Sequence, residues 1–123
     1  MLLTIIESPL AAKTDSGLLD NILYARQCIY DSLKHGEAPF ASHLLYTQVL
    51  DDAKPEHRSL GMLAGWYWMK KADQVVVYTD RGISSGMREG IKQAEELSLP
   101  IRFRSIEKAP DREAGGVDRE APG

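Results

Sequence analysis

Three short stretches carry residue types that could do chemistry. Glu7-Ser8-Pro9 closes an apolar run near the start of the chain. A carboxylate there could bind a sugar hydroxyl, act as a base or attack a sugar carbon. It reads equally as the solvated polarity of a strand end, and Pro9 fixes the exit of the loop in either case. The second stretch, TDRGISSGMREG over residues 79–90, joins another apolar run to a helical pattern. Gly82 and Gly86 allow positive φ or close backbone approach, and Ser84 and Ser85 can cap the helix that follows. The first amides of that helix favour an anion such as a phosphate, which Arg88 could grip in bidentate fashion. Asp80 could accept hydrogen bonds from a ribose diol. The plainer alternative is a turn plus an N-cap, with Asp80 stabilising the turn and Arg88 and Glu89 as exposed helix charges. The loop is neither a Walker loop nor a GxGxxG fingerprint.

The third stretch is Ser42-His43-Leu44-Leu45-Tyr46-Thr47. One imidazole, two hydroxyls and a phenol near one sheet edge could surround a base or a phosphate, while Leu44 and Leu45 read as packing. A lone His is a weak signal by itself. Ser42 and His43 are adjacent, which argues against a serine-hydrolase pair, and no nucleophile elbow is present.

The elements that must position these residues follow from periodicity. Residues 2–6 (LLTII) and 74–78 (QVVVY) are β-rich apolar runs suited to strands buried on both faces. Residues 38–42 form a shorter strand that Pro39 places near an edge, and IRFRS from Ile101 is a last strand. Helical patterns run over 18–34, with Ile22, Ile29 and Leu33 on one face, and from Pro55 to about Lys71, with Leu60, Ala64 and Tyr67 at core spacing. The third helix, 85–97, turns Met87, Ile91 and Ala94 inward. Residues 43–54 read as a long connection. This βαβαβαβ order predicts an α/β fold, a small three-layer doubly wound parallel sheet of about four strands in the order 2-1-3-4, with helices on both faces. Ligands in such sheets bind beyond the carboxyl ends of the strands where the order reverses. That crevice lies between the first and third strands, with ESP and TDRGISSG as its lips.

The chain of 123 residues fits one domain, expected over 1–106, and its 43% hydrophobic and 27% charged residues suffice for a packed core. Residues 107–123 are small, charged, Gly and Pro, and are expected to form a disordered tail. A net charge of -3 argues against wide binding to nucleic acid, which needs clustered Lys and Arg. Cys28 is the single cysteine and reads as a core hydrophobe, so neither a disulfide nor a zinc cluster is expected. MLLTIIESPL is too short for a membrane span and lacks the marks of a signal peptide, so a cytoplasmic protein is expected. Trp66 and Trp68 flank Tyr67 on one helix, and such aromatics predict a self-association face and a homo-oligomer.

ESP, APFASHLLYTQ and VVVYTDRGISSGMREGI together resemble a family of small uncharacterised proteins common in phage and bacterial genomes. The layout further resembles the nucleoside 2-deoxyribosyltransferase-like fold, whose members bind nucleosides, nucleotides and ribosyl phosphates. In those enzymes a glutamate nucleophile follows the loop glycine by four residues, in a pattern like SGTxxE. Here Ser85-Gly86 match, but the nucleophile position is Gly90, and Glu89 stands one residue early, about 100° around the helix. The resemblance therefore implies a nucleotide or ribosyl-phosphate partner held without turnover, with no cofactor or metal. Sequestration of a host nucleotide signal by a phage is one concrete form. The alternative is an N-glycosidase or deoxyribosyltransferase-like enzyme in which Glu7 or Glu89 replaces the missing nucleophile or Asp80 activates water.

Overall fold

The computed structural model describes residues 1–107; the tail expected from 107 onward lies outside the described residues except for its first. The elements are β1 (Leu3–Glu7), α1 (Asp15–Lys34), β2 (Ala38–Phe40), α2 (Ser42–Leu45), α3 (Pro55–Met69), β3 (Gln74–Tyr78), α4 (Ser85–Glu96) and β4 (Ile101–Arg104). All pairings are parallel and the strand order is β2-β1-β3-β4. This is the α/β arrangement that the sequence predicts. β3 is buried at every position, as a central strand covered on both faces must be.

Alternation along the strands sorts the core into two halves. Ile6, Val76 and Tyr78 pack with Tyr24 and Cys28 of α1, whereas Ile5, Val75 and Val77 pack with Met69 of α3 and with Met87 and Ala94 of α4. One helix therefore covers one face, and two cover the other.

The α1 face of the sheet is unusually polar. Glu37, just before β2, receives both guanidinium nitrogens of Arg104, at 3.0 and 2.9 Å, and the hydroxyl of Ser32 at 2.7 Å. Gln74 donates to Glu37 at 3.0 Å and to Thr4 at 2.9 Å, and accepts from Arg102 at 3.0 Å. Tyr78 donates to Asp31 at 2.8 Å. This network accounts for a departure from the expected helix face. The residues that α1 buries are Tyr24, Ala25, Cys28 and Ser32, and Leu33 is exposed. The helix is rotated so that its hydroxyls meet the polar groups beneath it.

Two further expectations are corrected. On α3 the buried residues are Gly65 and Met69, while Leu60, Leu63 and Tyr67 face outward. Gly65 explains the rotation, because a Cβ there would meet Ser42 Oγ at 2.6 Å; its absence lets α2 lie directly against α3. The connection after β2 is not irregular throughout: it contains α2 and a 3-10 turn over Tyr46–Gln48.

Candidate functional site

The strand order reverses between β1 and β3, and a cleft of about 160 Å³ opens beyond their carboxyl ends on the α3/α4 side. Glu7 is the last residue of β1, paired in register with Val77. Alternation aims its side chain at α4, where it lies over the Cα of Gly90. A Cβ on Gly90 would stand 2.2 Å from Glu7 Oε2 and 2.6 Å from its carboxyl carbon. A side chain there would have to displace the Glu7 carboxyl. Among the described residues this carboxyl has no hydrogen-bond or ion-pair partner. Burial alone pushes it up to about 8, so at neutral pH it is mostly a neutral acid.

Ser8 Oγ and His43 Nε2 lie 2.8 Å apart beside it. Burial pushes His43 down to about 4, so the imidazole is uncharged. The floor of the cleft thus bears polar atoms but little net charge. Its rim differs. The first turn of α4 presents Ser85 and Gly86, and Arg58 of α3 reaches across, with Nη2 3.8 Å from the place of a Cβ on Gly86. Arg58 also holds Asp52 at 3.2 Å. A guanidinium beside a helix N-terminus suits an anion. Met62, Trp66 and Met69 supply apolar walls.

Of the residues singled out in the sequence, Glu7, Ser8, Ser42, His43, Ser84, Ser85 and Gly86 line this cleft. Pro9 is buried at the exit from β1 but is not part of the lining. Ser84 caps α4, its hydroxyl accepting from the Met87 amide at 3.3 Å. Gly82, Arg88 and Asp80 are not brought to the cleft. Gly82 serves a turn, at φ 80, with its amide 3.0 Å from the Thr79 carbonyl. Arg88 is exposed on the outer side of α4.

Asp80 is a clasp for the end of the described chain. Its carboxylate accepts from the Tyr24 hydroxyl at 2.6 Å, from the amides of Ile106 and Glu107 at 3.0 and 2.8 Å, and from the Ser105 hydroxyl. Burial works against the ionised form, but Ser105, Tyr24 and the two amides outweigh it and hold the carboxyl below its usual range. Arg81 adds an ion pair to Glu107. Asp80→Ala is expected to cost roughly 1–3 kcal/mol in a denaturant melt, since it leaves four donors without their acceptor. A variant as stable as the parent would remove the clasp.

The Tyr46 phenol and Thr47, singled out with His43, line the cleft as well, whereas sequence reasoning did not single out Arg58, Asp52 or His57, which also line it. Topology could have found Arg58. A helix that follows a parallel strand starts at the strand's carboxyl edge, so the first turn of α3 had to lie near the crevice. Trp66 turns inward to the cleft, whereas Trp68 is half-exposed, donating to the Tyr46 hydroxyl at 2.8 Å with its ring 5.1 Å from Phe40.

These features define a small α/β protein with a cleft at the switch point of a parallel sheet. The chain belongs to the family described as a domain of unknown function, DUF7768, which matches residues 2–104. No curated protein matches it. Among solved structures it is similar to the 2-deoxyribosyltransferase of the psychrotolerant bacterium Bacillus psychrosaccharolyticus, described as a biocatalyst for synthesis of antiviral and antitumoral nucleosides. That likeness has 18% identity and a TM-score of 0.58, covering 92% of this chain and 76% of that one. The shared fold is the nucleoside 2-deoxyribosyltransferase-like one. Among the described residues no helix is long and apolar enough to cross a membrane, and no cluster of His, Cys, Asp and Glu could hold a metal ion.

Proposed function

We propose that the cleft binds a nucleotide-type small molecule without turning it over. The observation that carries this reading is the unpartnered Glu7 carboxyl on the floor of the switch-point cleft. Glu7 is half-buried, and a polar group so enclosed without a protein partner is matched by a ligand or water. Its neighbours Ser8 and His43 offer further hydrogen bonds to a base or sugar, and Arg58 with the α4 amides suits a phosphate at the rim. Gly90 supports binding rather than transfer, because α4 brings no carboxylate of its own to the cleft. Sequestration of a host nucleotide signal in the cytoplasm by a phage protein is a concrete form of the same reading, and it rests on the family resemblance alone. Self-association through the Trp-bearing α3 belongs with it, supported by the outward Leu60, Leu63 and Tyr67.

Native mass spectrometry, with and without a mixture of nucleotides, tests all of this at once. Expected is an intact nucleotide retained on a protein heavier than one chain. Failure of every nucleotide to bind would remove the function, and a strictly monomeric mass would remove the oligomer.

One observation favours a second reading. The Glu7 carboxyl occupies the very space that a side chain at position 90 would enter. A carboxyl delivered there from β1 instead of α4 could assist cleavage of an N-glycosidic bond. Free base released from a nucleoside monophosphate, and lost in Glu7→Gln, would establish it in place of simple binding.

A further inference from the structure

We propose that Glu7 is the specificity-determining residue of the cleft, engaging the ligand as a neutral carboxylic acid that donates one hydrogen bond and accepts another. The class of ligand group this selects is a ring edge with an acceptor nitrogen beside an amino donor, the edge that adenine carries at N7 and N6. The inference rests on the nucleotide-binding reading above and deepens it.

Geometry argues for the neutral form. The carboxyl lies against the bare Cα of Gly90, and among the described residues nothing donates to it. An ionised carboxylate in that position would be a half-buried charge with no partner among the described residues. The charged and titratable groups around it do not supply compensation. From α2 comes His43, uncharged and engaged with Ser8. From α3 comes Arg58, whose Nη1 pairs with Asp52 and whose Nη2 lies at the rim by Gly86, and His57, whose Nδ1 accepts the Asp51 amide at 2.9 Å. α4 brings only Ser85, Gly86, Met87 and Gly90 to the lining, none of them titratable. Tyr46 also lines the cleft, its hydroxyl accepting from Trp68 Nε1 at 2.8 Å.

The chemical consequence is a choice between two kinds of partner. An ionised carboxylate only accepts, so it would favour two donors side by side, such as a ribose diol. A protonated one has a hydroxyl donor and a carbonyl acceptor side by side, matching adjacent acceptor and donor groups. Burial holding the carboxyl near 8 makes this choice sensitive to mildly alkaline pH.

Adenosine monophosphate is the probe, its binding followed by equilibrium titration from pH 7 to pH 9. The full chain is expected to bind it about tenfold more weakly at pH 9, as Glu7 loses its proton. Glu7→Gln has an amide donor and acceptor in the same place and no proton to lose. It is expected to keep affinity within about threefold of the parent at pH 7 and to abolish the pH dependence. Binding by the parent that is flat or stronger at pH 9, or loss of binding in Glu7→Gln while its melting temperature is kept, would overturn the inference and leave the binding function standing. Binding of no nucleotide at any pH would overturn both.

Discussion

Arg104→Ala is expected to destabilise the protein by about 3–5 kcal/mol, because it strands a carboxylate inside the polar layer beneath α1. The side chains of Arg104 and Glu37 are only 9% and 10% exposed, so water cannot take over the lost partner. On a typical total of about 5–15 kcal/mol this is a large fraction of the stability. Lys at 104 is not expected to rescue, since it cannot reproduce the two-pronged grip on Glu37 or the third contact to Tyr78 at 3.2 Å. The pH dependence carries a second signature. Burial raises the Glu37 carboxyl, but Arg104, Ser32 and Gln74 outweigh it and hold the group at about 2, below its ordinary 4.5. A depressed folded value stabilises above the unfolded one, so the contribution is complete above about 4.5 and disappears as pH falls towards 2. Urea melts at pH 7 and pH 3 should show the parent losing stability on acidification and Arg104→Ala losing much less. Equal acid sensitivity in the two proteins would show that the pair is not the source.

Gly90→Ala is expected to separate the site from the fold. Alanine is worth roughly 1 kcal/mol more than glycine inside a helix, so α4 itself should not suffer. The new methyl, however, would stand 2.2 Å from Glu7 Oε2. The carboxyl must swing away, and as the far end of a flexible side chain it can do so cheaply. Melting temperature should therefore hold or rise slightly, while nucleotide affinity drops by about tenfold or more, equivalent to at least 1.4 kcal/mol. The two titrations, one thermal and one with ligand, settle the matter. Unchanged affinity would mean that the floor of the cleft plays no part in binding.

The sheet and its order were readable because strand type, helix periodicity and crossover logic all agree, most clearly in QVVVY at β3. Helix rotation was less legible. Leu33, Leu60 and Tyr67 looked like core by periodicity, yet what decides each face is the partner surface: a polar network under α1 and the Ser42 contact with Gly65 under α3. Neither can be read from one segment alone. Of the lips ESP and TDRGISSG that the switch-point rule picks out, Glu7, Ser8 and Ser84 to Gly86 line the cleft. Asp80 was read with them because turn chemistry and ligand chemistry use the same residue types; its partners, Ser105 to Glu107, come from the end of β4 and are distant in sequence. The meeting of Glu7 with Gly90 was hidden for the same reason. Position 90 looked like a loss when viewed along the helix, and only the register of β1 against β3 shows what fills it.

The strict alternation of β1 and β3 divides labour between the two sides of the sheet. Thr4, Gln74 and Tyr78 hold the stabilising network on one side, while Ile5, Glu7 and Val77 face the cleft side. A substitution in the cleft therefore leaves the Glu37–Arg104 layer untouched, with a central sheet between them. Such insulation lets the floor and rim of the cleft change while the scaffold beneath α1 is kept.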